Sequence, residues 1–171
     1  MKDEKIIKVI FVCTGNICRS PMAEAVFAQL VREHGLSNSF LIHSAGTHSY
    51  HLGERPHPGT RQVLKKNGIE LDWRKRAERV DPETIGSYDY IIALDSSHAA
   101  ALRSYHNVFL LLDFAAHTEL LDVPDPYYDD NFDQVYDLVR AGCEGLLEHI
   151  MQHNMQHVIQ QKKLSGETPV E

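Results

Sequence analysis

A short polar loop carries a thiol and an arginine at a spacing suited to phosphate chemistry. The loop lies in the stretch VCTGNICRSP, in which five residues separate Cys13 from Arg19. A loop that joins a strand to a helix N-terminus exposes unpaired backbone N–H groups, which bind anions. The guanidinium of Arg19 can match two phosphate oxygens, and the same positive surroundings favour a thiolate at Cys13. The pattern therefore predicts a phosphate site with a cysteine nucleophile.

The rest of the loop fits this interpretation better than the alternatives. Gly15 permits a tight turn, and the Ser20 hydroxyl could donate to the Cys13 sulfur. A nucleotide-binding loop would need a second glycine and a lysine, which are missing here. A purely structural reading, with a buried Cys13 and a surface ion pair at Arg19, is open for a bare Cys-x5-Arg pattern. The added Ser-Pro at a strand-to-helix junction favours the phosphate loop.

A second segment, VPDPYYDD, could supply a general acid. Expelling an alkoxide or phenolate from phosphate requires protonation of a basic oxygen. Asp125 lies between two prolines, which favour an extended backbone there. Tyr127 and Tyr128 could form the wall of a pocket for an aromatic ring. The alternative is a surface turn with solvated acids, and this segment taken alone favours that alternative.

Strands and helices alternate along the chain and must position these residues. Apolar runs predict strands at residues 6–13, 40–46, 88–95 and 107–113. Helical spacing predicts helices at residues 19–33, 58–68 and 96–105 and from residue 132 onward, the first capped by Ser20 with Pro21 at its first position. We therefore expect an α/β fold, a single doubly wound domain with a four-stranded parallel sheet flanked by helices.

Composition limits the classes of function. The 171 residues contain 43% hydrophobic and 24% charged residues and carry a net charge of −7, which argues against a nucleic-acid partner. No apolar run is long enough for a membrane span, and the N-terminus is a poor signal peptide, so we expect a cytoplasmic protein. Three cysteines exclude a complete disulfide framework, and no Cys-x-x-Cys pattern occurs.

Taken together, the stretches VCTGNICRSPMAEAVF, SAGTHSYHLGERPHP and DPYY resemble the low-molecular-weight protein tyrosine phosphatases. The similarity runs from residue 6 to about residue 150 in the order typical of the family. It implies that Cys13 is the nucleophile, Arg19 the phosphate clamp and Asp125 the general acid. It also implies a phosphate-binding loop formed by Cys13, Thr14, Gly15, Asn16, Ile17, Cys18, Arg19 and Ser20.

The resemblance assigns further supporting roles. Ser20 would steady the thiolate, and Asn16 would hold the shape of the loop with help from Ser44. Cys18 would form a disulfide with Cys13 under oxidation. Tyr50 and Tyr127 would be opposite walls of the substrate pocket.

The implied substrates are phosphotyrosine proteins or peptides, with a cognate tyrosine kinase as a partner. No cofactor or metal is expected, because Arg19 and the helix N-terminus supply the positive charge. We expect a phosphatase domain at residues 1–152, followed by a C-terminal helical extension and tail at residues 153–171.

One segment departs from the family pattern. The family usually has Gly-Ile followed a few residues on by His-x-Ala-Arg, whereas this chain reads GIELDWRKRAERV, without a histidine and with one extra residue. The role of that histidine in supporting the loop either passes to another residue or is missing. The segment is also basic, with Arg74, Lys75, Arg76 and Arg79. We interpret it as a solvated face rather than a docking patch.

The histidines do not match a metal-binding motif. His43, His48, His51 and His57 are expected at the surface or at the pocket rim. A second group, His149, His153 and His157, would share one helix face, and we interpret it as a solvated polar face because no carboxylate or cysteine completes a ligand set.

Two other functions share parts of this pattern. An arsenate reductase with a disulfide relay would need further cysteines near the third strand, but residues 19–142 contain none. A phosphotyrosine-binding module without activity would need neither the thiol of Cys13 nor the acid of Asp125. The sequence therefore favours a phosphatase.

Overall fold

The chain folds around a four-stranded parallel sheet. The computed structural model describes residues 5–154. The strands are β1 (Ile7–Cys13), β2 (Phe40–Gly46), β3 (Tyr90–Ala93) and β4 (Val108–Leu110). Their order is β2-β1-β3-β4, and every pair is parallel. The predicted α/β fold with a four-stranded parallel sheet is confirmed.

Helices flank the sheet at the expected places. They are α1 (Arg19–Glu33), α2 (Pro58–Lys66), α3 (Ser96–Ala101), α4 (Pro126–Asp129) and α5 (Phe132–Asn154). Short 3-10 turns lie at Ser37–Ser39, Ile85–Ser87 and Leu111–Phe114. The last of these turns replaces the end of the predicted fourth strand. Helix α4 was not predicted, although a proline in the first turn, as at Pro126, is a common helix start.

The central strand β1 is buried on both faces. Phe11 belongs to the larger core cluster, together with Phe27 of α1 and Leu146 of α5. Its neighbours Ile10 and Val12 belong to a smaller cluster on the opposite face. Successive side chains of a strand point to opposite faces, so a continuous apolar run suits a central parallel strand. This double burial fixes the end of β1, where Cys13 lies.

The predicted cap of α1 is wrong. The helix begins at Arg19, its N-cap residue is Cys18, and no side chain caps it. Ser20 is the second helical residue, and its hydroxyl bonds to Cys13 and Asn16 instead. A Ser-Pro pair indicates a helix start, but the serine has a different partner here.

The C-terminal predictions lie partly outside the described residues. Helix α5 continues to Asn154, and His157 and the tail follow it in the sequence. The division of the chain at residue 152 stays a prediction. Within residues 5–154, no helix combines the length and apolar character needed to cross a bilayer.

Candidate active site

The loop that the sequence predicts to bind phosphate lies at the carboxyl end of β1, where the chain order of the strands changes direction on either side. Neighbouring strands β2 and β3 lie on either side of β1. In open parallel sheets, ligands bind at this kind of switch point. Residues 14–18 connect Cys13 to α1, so the loop joins a strand end to a helix N-terminus.

Two glycines allow close contacts at the loop, one with backbone and one with the ring of His51. A Cβ on Gly46, the residue paired with Cys13, would lie 2.6 Å from the Thr14 carbonyl oxygen. A Cβ on Gly15 would lie 2.8 Å from the His51 ring. The left-handed residue of the loop is Asn16, with φ of 58°. Gly15 is therefore needed for a close approach, and the strained conformation falls on an asparagine.

Hydrogen bonds behind the loop give the Cys13 sulfur a donor. The Asn16 amide nitrogen donates to Ser20 Oγ at 2.8 Å, and Ser20 Oγ lies 2.9 Å from Cys13 Sγ. Because the Ser20 oxygen accepts from Asn16, its own hydrogen is available for the sulfur. That hydrogen bond stabilises negative charge on Cys13. The side chains of Asn16 and Ser20 are buried beneath the loop.

The guanidinium of Arg19 is fixed along one edge. Its Nη1 donates to Asp95 Oδ2 at 2.7 Å and to the Val123 carbonyl at 2.9 Å. Both hydrogens of that nitrogen are used. The edge formed by Nε and Nη2 has no hydrogen-bond partner among residues 5–154; the carboxylate of Asp125 lies 3.6 Å from Nη2. This edge is the one that can hold two phosphate oxygens.

Asp125 caps the short helix α4. Its Oδ1 accepts the Tyr127 backbone N–H at 3.0 Å, and its backbone is extended. Its Oδ2 is the atom near Arg19, and the side chain is 40% exposed. The two prolines of VPDP thus frame an extended residue, as predicted, and the carboxyl approaches the Arg19 guanidinium through Oδ2.

These groups line one cavity of about 250 Å³. Tyr50 and Tyr127 both line it, as does Tyr128. Tyr50 is 71% exposed and stacks on His48, with ring centroids 5.0 Å apart. The full lining consists of Cys13, Thr14, Gly15, Ile17, Cys18, Arg19, Tyr50, His51, Asp125, Tyr127 and Tyr128.

A larger groove between α1 and α5 does not suit a phosphate. It measures about 560 Å³ and is lined by Leu30, His34, Glu144, Leu147, Glu148, Met151 and Gln152. Its lining includes two glutamates and neither lysine nor arginine. The smaller cavity is lined by the thiol of Cys13, the guanidinium of Arg19 and the carboxyl of Asp125, which makes it the candidate active site.

Sequence reasoning missed the support given by α3. Asp95 caps this helix and accepts the N–H groups of Ser97 and His98, while His98 Nδ1 accepts the Asp95 N–H. The other ring nitrogen, Nε2, therefore carries the hydrogen and donates to Thr14 Oγ1 at 2.8 Å. Asp-x-x-His before a helix could have been recognised as a capping box, but nothing local to it points to the phosphate loop.

The electrostatics of this pair follow from burial and hydrogen bonding. Burial lowers the pKa of His98 to about 4, against the opposing charge of Asp95. Burial alone would raise the pKa of Asp95, but hydrogen bonds from Ser97 and Arg19 outweigh burial and leave it lowered. The neutral ring of His98 thus holds the Thr14 side chain, and the ionised carboxylate of Asp95 holds the Arg19 guanidinium.

Several other histidines make packing or polar contacts. His51 contacts Tyr127, and His57 stacks on Phe132. His43 bonds to Glu78 at 2.9 Å. His149 is partly buried against Phe114 rather than solvated. In the part of the chain that the structure describes, no group of three potential ligands could hold a metal ion.

Comparison with known proteins gives consistent matches over most of the chain. A family model described as low molecular weight phosphotyrosine protein phosphatase matches residues 8–157. The low molecular weight protein-tyrosine-phosphatase YfkJ of Bacillus subtilis is 43% identical over 148 residues, which cover 83% of this chain and 94% of that protein. The PtpA phosphatase of Staphylococcus epidermidis is 42% identical over 149 residues, covering 84% of this chain and 94% of PtpA.

Solved structures agree with these sequence matches. The crystal structure of YfkJ aligns with a TM-score of 0.85 at 41% identity and covers 90% of this chain and 99% of that one. A protein tyrosine phosphatase from Entamoeba histolytica aligns with a TM-score of 0.81 at 33% identity, covering 87% and 99%.

Proposed function

The chain belongs to the low molecular weight phosphotyrosine protein phosphatases, a family of hydrolases, and on that premise we propose that it hydrolyses phosphotyrosine through a cysteinyl-phosphate intermediate. The observation that carries the proposal is the meeting of three groups in one cavity: the Cys13 sulfur, the open edge of Arg19 and Oδ2 of Asp125. Nucleophile, anion clamp and proton carrier are the groups that phosphoryl transfer requires.

In the first step, the thiolate of Cys13 attacks phosphorus opposite the tyrosyl oxygen. The S–P bond forms as the P–O bond breaks, and the departing oxygen takes the proton of Asp125. Arg19 and the backbone N–H groups of the loop hold the three equatorial oxygens, on which the transition-state charge is spread.

The second step releases phosphate. The Asp125 carboxylate takes a proton from a water molecule, and the water oxygen attacks phosphorus as the P–S bond breaks. The thiolate of Cys13 returns with its hydrogen bond from Ser20, and Asp125 is protonated again. The positive charge for both steps comes from Arg19 and the N-terminus of α1.

The cavity walls support an aromatic leaving group. Tyr50, Tyr127 and Ile17 line the cavity around the thiol, and aromatic rings pack well between such walls. The substrates are phosphotyrosine proteins or peptides, and a tyrosine kinase that produces them is the implied partner. The cytoplasmic location stays a prediction from the sequence.

The arsenate reductase alternative lacks a third thiol near the site. Cys143 is completely buried on α5, and its sulfur lies 3.7 Å from the Ala23 carbonyl. A relay of disulfides would have to reach this thiol through the core. The position of Cys143 therefore favours the phosphatase.

The cavity also supports the redox role proposed for Cys18. Cys13 and Cys18 line the same cavity. Burial, together with the nearby charge of Cys13, raises the pKa of Cys18 to about 12. Cys18 therefore stays a thiol while Cys13 is the nucleophile, and it can condense with an oxidised Cys13 to give a reducible disulfide.

Replacement of the Cys13 thiol, with replacement of the distant Cys143 thiol as control, tests the proposed function. Wild type should release phosphate from a phosphotyrosyl peptide faster than from the matching phosphoseryl peptide. Cys13→Ser should abolish release because serine is a poor nucleophile without a dedicated base. Cys143→Ser is the matched control, since it exchanges the same atoms away from the site, and it should retain activity. An active Cys13→Ser variant would disprove the covalent route.

A further inference from the structure

A buried lysine lies beneath the phosphate loop. Lys75 belongs to the basic segment that the sequence indicated as a solvated face, yet its side chain is only 7% exposed. Its ammonium donates to the Ser44 carbonyl at 2.9 Å and lies 3.7 Å from Oε1 of Glu24. The solvated-face interpretation is therefore wrong for Lys75. Burying a lysine is unfavourable unless it is paired, so these two partners are needed to stabilise it.

The partners of Lys75 lead directly to the loop. Ser44 Oγ accepts from the Asn16 amide at 3.0 Å and donates to Glu24 Oε1 at 3.1 Å. The side-chain oxygen Oδ1 of Asn16 accepts the Glu78 backbone N–H at 3.0 Å. All hydrogens of the Asn16 amide group are thus used, one toward Ser44 and one toward Ser20.

The direction of each hydrogen in this network follows from its neighbours. Because Asn16 donates to Ser44 Oγ, the Ser44 hydrogen points to Glu24. Because Asn16 also donates to Ser20 Oγ, the Ser20 hydrogen points to the Cys13 sulfur. The carboxylate of Glu24 is therefore the acceptor at one end of the network, and the Cys13 sulfur is the acceptor at the other.

The ionised form of Glu24 depends on the cation beside it. Its side chain is 18% exposed, and burial raises its pKa, against the opposing charges of Lys75 and His43. Glu78, the remaining charged neighbour, acts in the same direction as burial. His43 is itself bonded to Glu78, so Lys75 is the permanent cation that faces this carboxylate.

We infer that Lys75 is a positioning residue for the phosphate loop: it anchors Glu24 and the Ser44 carbonyl, so that Asn16 keeps its left-handed conformation and directs the Ser20 hydroxyl to the Cys13 sulfur. The inference rests on the proposed function for its effect on turnover, but not for its effect on the reactivity of Cys13. Lys75 lies in the segment where this chain lacks the histidine expected from its family.

Loss of Lys75 should lower the reactivity of the Cys13 thiolate, although Lys75 makes no direct contact with Cys13. In Lys75→Met, the Glu24 carboxylate loses its cation and the Ser44 backbone carbonyl loses its donor, so Ser44 is less firmly placed as the acceptor for Asn16. The Ser20 hydroxyl is then less well directed, and kcat/KM should fall roughly tenfold, the effect of removing one hydrogen bond to a reacting group. Lys75→Arg keeps the charge and the donor and should retain most of the activity.

The test combines turnover with the reactivity of the thiol. Alkylation of Cys13 by iodoacetate, followed by mass spectrometry across pH, reports whether the sulfur is still stabilised as an anion. In Lys75→Met this profile should move to higher pH, whereas in Arg76→Met it should match wild type. Arg76 is the matched control, because it is the next residue, carries the same charge and is exposed.

A double variant tests the inference even if Lys75→Met alone fails to fold. Lys75→Met with Glu24→Gln leaves no unpaired buried charge, so it should fold, yet Ser44 still lacks its donor and the profile should again move to higher pH. Unchanged alkylation profiles and unchanged kcat/KM in folded Lys75 variants would overturn the inference while leaving the phosphatase intact. A wild-type protein without phosphatase activity would instead refute the proposed function.

Discussion

Replacement of His98 by glutamine should change how stability depends on pH. The His98 ring is buried, accepts the Asp95 N–H and donates to Thr14. Glutamine at this capping-box position can make the same two hydrogen bonds but does not titrate. The variant therefore removes a proton-binding group while keeping its contacts.

The sign and size of the effect follow from the pKa of His98. The ring has a pKa of about 4 in the folded protein, against an ordinary value of 6.5. Between pH 6.5 and pH 4, the imidazole of His98 is protonated in the unfolded chain but neutral in the folded protein. The free energy of unfolding of the wild type therefore falls as the pH drops through this interval. At pH 5 the unfolded imidazole is mostly charged and the folded one mostly neutral, which destabilises the fold by roughly 2 kcal/mol.

Urea unfolding at pH 7.5 and pH 5 measures this difference. Wild type should lose about 2 kcal/mol more than His98→Gln between the two pH values, and the other histidines cancel in the comparison. His106→Gln, at an exposed histidine, should follow wild type. Equal pH dependence in wild type and His98→Gln would refute a neutral His98 in the folded protein.

Three further outcomes follow from the site. Asp125→Asn should lower kcat/KM, which reports the first step, much more for phosphotyrosine than for an ester with an acidic phenol, because only the former leaving group needs a proton; equal losses in kcat/KM would show that Asp125 is not the acid. Arg19→Lys should reduce turnover and vanadate inhibition together, since lysine lacks the fork that matches two oxygens; a lysine variant with near wild-type values would contradict this. After peroxide, dithiothreitol should restore wild type but not Cys18→Ser, in which Cys13 proceeds to irreversible acids; full recovery of the variant would exclude a protective disulfide.

Local patterns in the sequence were enough for the sheet and for the central residues of the site. The apolar run before Cys13 and the alternation of strands and helices predicted β1 and its parallel neighbours, because both signals are short-range. The prolines around Asp125 likewise predicted its extended backbone. These features depend on residues that are adjacent in the chain, so they can be predicted from a single sequence.

The supporting residues could not be predicted because their partners are distant in the chain. The Asp95 contact with Arg19 spans 76 residues, and the His98 contact with Thr14 spans 84. Lys75 belongs to a segment of mostly exposed basic residues, and only the fold shows that it points inward toward Ser44. Charge patterns predict a solvated face by default, and burial of one member requires a tertiary partner.

Detection of the covalent intermediate tests the central claim most directly. Asp125→Asn mixed with an aryl phosphate of an acidic phenol should complete the first step and stall before hydrolysis, because the carboxylate that activates water is missing. A rapid denaturing quench and mass spectrometry should then find one phosphoryl group on the peptide that contains Cys13, and none in a variant that also carries Cys13→Ser. Release of the phenol without any phosphorylated Cys13 at any time would contradict the mechanism.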